Sequence, residues 1–246
     1  MKATERITYI KNWITEYCKS MPVEADSLVV GISGGIDSSV TSTLCALTGK
    51  KTIVLSMPIK QIKDQHDLSL KHLKWLKDKF KNIETELIDL DNVYKSFEKS
   101  LSKFDNKHGL ANSRARLRMA SLYQVAASNN GLVVGTGNKV EDFGVGFYTK
   151  YGDGGVDISP VADCTKTQVW EMGKSLGILN EIIIAEPTDG LWDDGRTDVS
   201  QLGMSYQDLE NAMKDEKNKN HTKYLEIRKR NLHKMESIPV CKMKDE

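Results

Sequence analysis

Apolar residues recur at helical spacing through Ile7, Ile10, Ile14, Tyr17 and Cys18, which predicts an amphipathic helix over residues 4–20, ended by Met21-Pro22. Its apolar side suits either its own sheet or a second subunit. The period then changes. Leu28 to Ile32 reads as a buried strand, and the helix that follows small residues ends at Gly49. Thr52–Met57 (TIVLSM) is a second buried strand, and residues 61–80 form a helix with Leu68, Leu73, Leu76 and Phe80 inward. Glu86–Leu90 reads as a third strand, Val93, Phe97 and Leu101 mark a short helix after it, and Ser102–Gly109 (SKFDNKHG) reads as a loop. A helix from about Asn112 to Ser128 precedes a fourth strand, Leu132–Val134. Short strands alternating with longer helices predict an α/β fold, a doubly wound, mainly parallel sheet with helices on both faces. Ligands of such sheets lie at the carboxyl ends of the strands, where strand order reverses. If the first and fourth strands are neighbours, Ser33–Ser38 and Gly135-Thr136-Gly137-Asn138 face one crevice.

Composition narrows the class. Lys+Arg 35 against Asp+Glu 34 leaves no basic excess for a nucleic-acid partner. The polar run Lys214–Asn220 reads as a solvated connection. Cys18, Cys45, Cys164 and Cys241 are far apart and the five histidines lack ligand spacing, so free thiols are expected and a zinc site is not. No apolar run reaches bilayer length and no signal-peptide core is visible, which predicts a reduced, cytoplasmic protein without a membrane partner.

The candidate chemistry starts at the first strand. A strand turning through Ser33-Gly34-Gly35 into a helix gathers backbone N–H groups around one point, facing the positive helix end. That suits phosphate. A lysine would stand before the Ser of a Walker A loop, but here the residue is Asp37, which would repel phosphate unless a divalent metal lay between them. The second candidate is residues 135–157, GTGNKVEDFGVGFYTKYGDGGVD, whose glycines, charges and aromatic residues mark a functional rather than disordered loop. On the residues alone, Lys166 reads as an ordinary solvated lysine, and His233-Lys234 as part of a solvated basic helix with Lys223, Arg228, Lys229 and Arg230.

The SGG-x-DS turn resembles the pyrophosphate loop of the N-type ATP pyrophosphatases, whose fold is adenine-nucleotide α-hydrolase-like. GTGNK-x-E with TKYGDGG-x-D, ANSRARLRM (Ala111–Met119), PVADCTKTQV (Pro160–Val169), EPTDGLW (Glu186–Trp192) and GMSYQDLE (Gly203–Glu210) together resemble the ammonia-dependent NAD synthetase family. The resemblance implies one synthetase domain over residues 1–246. It also implies a reaction in which ATP activates deamido-NAD and ammonia displaces AMP, giving NAD. It further implies that Gly31, Ile32, Ser33, Gly34, Gly35, Ile36, Asp37 and Ser38 cradle ATP, with Thr136, Lys166 and Thr188 also in contact. Asp37 and Glu141 would hold Mg²⁺. Arg116, Lys150, Asp157, His233 and Lys234 would contact the dinucleotide, and Asp153 would serve as acid/base or ammonium-binding group. A homodimer with the dinucleotide site at its interface is also implied.

With about 26 residues before the first strand, no glutaminase domain is expected. One departure stands out: four residues separate Glu141 from Gly146 where the commoner family pattern has three. A different N-type pyrophosphatase, or a module that binds nucleotide without turnover, remains as an alternative on the turn alone.

Overall fold

The computed structural model describes residues 1–188, 190–192 and 196–243. Helix α1 (Ala3–Ser20) leads into strand β1 (Ser27–Gly31), followed by α2 (Ile36–Leu47), β2 (Lys51–Ser56), α3 (Lys63–Lys79) and β3 (Ile83–Leu87). Helices α4 (Asp91–Ser100) and α5 (Lys107–Ser128) precede β4 (Gly131–Val133). The sheet runs β3-β2-β1-β4 with every pair parallel, and Leu28 faces Thr52 on one side and Leu132 on the other. The expected neighbouring of the first and fourth strands is therefore present, and the strand order reverses between them.

Alternation along β1 distributes the core. Leu28 and Val30 pack with Ile10, Ile14 and Cys18 of α1 and Val40 and Leu44 of α2. Val29 turns the other way, toward Tyr94 of α4 and Ala126 of α5. Helix α1 thus covers its own sheet, while Tyr9, Trp13 and Tyr17 remain exposed on its outer side.

Two local expectations shift, at the third strand and at the start of the fifth helix. The third strand lies three residues earlier than the apolar run suggests. As an edge strand it buries only Ile83, whereas Leu87 is exposed and Ile88 and Leu90 pack under α4 beyond the strand. In α4 the buried residue is Tyr94, and Val93 is exposed. Helix α5 begins at Lys107 because the Asn106 side chain accepts from Gly109 N and caps it, so breaker-rich sequence became a helix start.

After β4 the chain forms a π-helix, Lys139–Val145, in which Gly146 N donates to Glu141 O five residues back. The wider turn seats the four residues between Glu141 and Gly146 in one continuous segment. Helix α6 (Lys166–Leu176) packs on α2, and α7 (Asn180–Ile184), α8 (Asp198–Leu202), α9 (Tyr206–Lys214) and α10 (His221–Met235) follow. A separate apolar cluster joins Val140 and Val145 of the π-helix to Leu202, Tyr206, Leu209 and Tyr224. Among the described residues no helix is long and apolar enough to cross a membrane.

Candidate active site

The site begins where β1 ends. Ile32 N donates to Leu55 O, which holds the chain against β2 until the turn. Gly34 has φ +93°, and a Cβ there would lie 2.5 Å from the backbone oxygen of Gln65, so both conformation and space require glycine. Ser38 Oγ donates to Gly35 O, Gly35 N donates to Ser33 Oγ, and the two hydroxyls lie 3.2 Å apart. No side chain caps α2 at Gly35, so its first N–H groups and its dipole are directed at the turn.

Across the switch point stands the loop after β4. Asn138, fully buried, donates from Nδ2 to Asp37 Oδ1 at 3.0 Å, while its Oδ1 accepts from Val140 N and Glu141 N. One side chain therefore fixes Asp37 and starts the π-helix that carries Glu141. Gly137 leaves room for the neighbouring Asp142 carboxylate, which a Cβ there would strike. Lys166, at the first position of α6, is only 2 % exposed and lies 2.6 Å from Asp37 Oδ2 and 2.8 Å from Glu141 Oε1. It is a buried cation shared by two carboxylates, not a solvated lysine. Its helix is fixed by a Thr165/Gln168 capping box, and by buried Glu210, which accepts from Thr167 N and Oγ1.

The electrostatics follow from that enclosure. Burial raises the Asp37 carboxyl despite the Lys166 ammonium. Burial also opposes ionisation of Glu141, but Lys166 and the hydrogen bonds from Lys166, Tyr206 and Asn138 outweigh it and lower its pKa. For Lys166, the two carboxylates overcome burial and hold the ammonium charged. Asp142 is raised well above the carboxylate range by burial, then by Asp153, Glu141 and Asp37.

Asp142 is therefore the electrostatic link to a second group. Asp153 Oδ1 accepts from Thr149 N on an exposed turn. Lys234 of α10 donates to Tyr148 O, and its pKa is lowered by burial against the pull of Asp153 and Asp142. Arg116 Nε donates to Lys150 O, bringing those two segments together. Thr188 accepts from Gln65, the residue that crowds Gly34, whereas Asp189 of the same motif lies outside the described residues. Asp157 is engaged with the fold: its oxygens accept from Tyr123 Oη and Val133 N. Thr136 is half-buried just beyond β4, and His233 is exposed on α10. Arg114 is buried against the Tyr94 ring and Arg118 donates to Met57 O, so both serve the fold.

Asn138, Asp142, Tyr206 and Glu210 lie within the sequence motifs, yet nothing in their local surroundings marks a role. Only the tertiary contacts reveal that the first three lie around the carboxylate pair, while Glu210 holds the first turn of α6.

A parallel sheet with a Ser-Gly-Gly turn and an acidic loop meeting at its switch point defines the class of adenine-nucleotide α-hydrolase-like α/β proteins. Comparison with known proteins carries this further. The NAD synthase family model matches residues 6–246. The chain is 37 % identical over 217 residues to the NH(3)-dependent NAD(+) synthetase of Carboxydothermus hydrogenoformans, covering 85 % of this chain and 84 % of that protein. Among solved structures, the NMN synthetase of Francisella tularensis superposes with a TM-score of 0.90 at 31 % identity, covering 99 % of this chain and 100 % of that one. The NH3-dependent NAD synthetase of Campylobacter jejuni superposes at 0.79 and 25 % identity, covering 98 % and 100 %. This chain belongs to the NAD synthase family, ligases of NAD biosynthesis.

Proposed function

We infer that this chain is an ammonia-dependent ligase that forms NAD by amidating the nicotinate carboxylate of deamido-NAD, with ATP as activating co-substrate. The observation that carries the reading is the convergence of Asp37, Glu141 and Lys166 beside the Ser-Gly-Gly turn in a member of this family. A carboxylate has no viable leaving group. Its oxygen therefore attacks the α-phosphorus of ATP, and the bond to the β-phosphate oxygen breaks to release pyrophosphate. Ammonia then attacks the acyl carbon and AMP departs with the C–O electron pair.

In this reading residues 31–38 hold the phosphates that leave, with Thr136, Lys166 and Thr188 completing the ATP site. Backbone N–H groups and Lys166 favour charge building on the phosphates. Asp37 and Glu141 would hold Mg²⁺. The fit is testable on geometry: both carboxylates reach a single nitrogen atom, so their oxygens already converge on one cation. Two carboxylates together with substrate phosphates are a donor set magnesium accepts. Among the described residues no cluster of three or more His, Cys, Asp or Glu offers a larger all-protein site. When bound, the ion would neutralise charge on the departing pyrophosphate.

Arg116, Lys150, Asp157, His233 and Lys234 are the proposed dinucleotide contacts. Asp153 is the proposed proton acceptor for the incoming nitrogen. The proposal further takes the chain as one synthetase domain using free ammonia, cytoplasmic, and acting as a homodimer with the dinucleotide site at the interface.

The test supplies purified protein with deamido-NAD, ATP, ammonium and Mg²⁺ and measures NAD and AMP. Equal yields are expected, with loss of both on chelation. Folded protein that releases no AMP would overturn the reading, and ATP binding without AMP release would identify a sensor. A second substrate is favoured by one observation, the superposition on the Francisella tularensis NMN synthetase. The same assay with nicotinate mononucleotide, compared by kcat/KM, decides between the two acceptors.

A further inference from the structure

Helix α9 touches both sides of the charge cluster, and Tyr206 does so with a single side chain. It is 5 % exposed, its hydroxyl donates to Glu141 Oε1, and its ring centroid lies 4.8 Å from Lys166 Nζ. Trp170 of α6 packs edge-on against that ring at 5.7 Å. The hydroxyl also lies 3.0 Å from Asp198 Oδ2 at the start of α8. One turn further along α9, Glu210 fixes Thr167, the neighbour of Lys166. Burial, then Glu141 and Asp198, push the Tyr206 phenol upward, in keeping with a hydroxyl that donates.

A glutamate has three side-chain torsions and needs an external partner to select one direction. We propose that Tyr206 is the positioning residue of Glu141: its hydroxyl holds one carboxylate oxygen toward Lys166 and so presets the carboxylate for a divalent cation. This rests on the reading of Glu141 as a metal ligand. Through Asp198 the same hydroxyl ties the segment entering α8, which follows the Thr188 motif, to the cation site.

Tyr206→Phe removes one oxygen and keeps the ring that packs on Trp170, so the fold is retained. A hydrogen bond to a charged group is large enough to shift an equilibrium about tenfold or more. The experiment measures the Mg²⁺ concentration for half-maximal NAD formation. In parallel, it measures Mn²⁺ binding by electron paramagnetic resonance with α,β-methylene ATP present. The variant is expected to need about tenfold more Mg²⁺ and to bind Mn²⁺ correspondingly more weakly, with the KM for ammonia at saturating Mg²⁺ little changed. Asp198→Asn, which can still hydrogen-bond the hydroxyl, should sit between variant and wild type. Equal metal dependence in Tyr206→Phe and wild type, whatever the melting temperature, would overturn the positioning role. A wild-type enzyme whose turnover and Mn²⁺ binding ignore divalent ions would instead remove the metal-ligand reading beneath it.

Discussion

Replacing Lys166 with Met keeps an unbranched side chain but removes the terminal ammonium, leaving Asp37 and Glu141 facing each other without their shared cation. The three groups are 2 %, 17 % and 14 % exposed at the side chain, so solvent screens the lost attraction poorly. Removing one partner of a buried pair costs about 3–5 kcal/mol, and here two carboxylates lose it together. One of them will take up a proton, and Asp37, already raised by burial, is the group to do so. For a chain of this size about 4 kcal/mol lowers Tm by roughly 8–10 °C. The sign with pH follows from the direction of the shift. A carboxyl raised further in the folded state contributes stability at low pH that is lost as pH rises through its folded pKa, so the deficit is smallest in mild acid. Magnesium should then stabilise the variant but not the wild type. In the variant a divalent ion replaces the missing ammonium, and at about a hundred times its Kd returns roughly 2.7 kcal/mol. In the wild type, Lys166 already neutralises the pair, and Mg²⁺ without nucleotide should leave Tm nearly unchanged. Scanning calorimetry of both proteins, with chelator or millimolar Mg²⁺ and no ATP, reads all of this. A variant melting within about 2 °C of wild type, or an equal Mg²⁺ shift in both, would refute the account of Lys166 as resident counter-ion.

Gly34→Ala should leave the sheet intact yet raise the ATP concentration for half-maximal rate at least about tenfold, because a Cβ 2.5 Å from Gln65 O forces the turn to move. Fluorescent ATP-analogue titration checks it, and unchanged affinity would remove the turn from the nucleotide site. Asn138→Ala deletes the buried amide that holds Asp37 and caps the π-helix. A loss of about 1–3 kcal/mol in denaturant stability is expected, with a larger fall in kcat than Tm alone predicts. His72 is fully buried, hydrogen-bonds Ser42 and stacks on Trp75, and its pKa is lowered by burial to about 4. The unfolded chain therefore protonates it first, and stability falls by roughly 3 kcal/mol between pH about 6.5 and 4. In His72→Gln that part of the acid dependence should vanish, as urea melts at both pH values would show.

What the sequence by itself determined was the alternation of strand and helix, the parallel sheet and the Ser-Gly-Gly turn. Each depends on the period of apolar residues or on glycine at a fixed offset, and both are properties of neighbours in the chain. Errors arose where tertiary packing outweighed the local pattern. An edge strand with one buried residue gave almost no periodic signal, and Asn106 turned an apparent loop into the start of α5. The charges of the site were legible as residue types, but not as an arrangement. Lys166 has the sequence surroundings of a solvated lysine. It became the most buried charge of the cluster because α6 packs on α2 with its first turn beside Asp37. Tyr206 and Glu210, 65 and 43 residues distant in sequence from their partners Glu141 and Thr167, meet them only because α9 closes over both. A carboxylate's ionisation and direction depend on what surrounds it in space. Local sequence could name Asp37, the motif resemblance could name Glu141, and only the tertiary structure could decide what holds them.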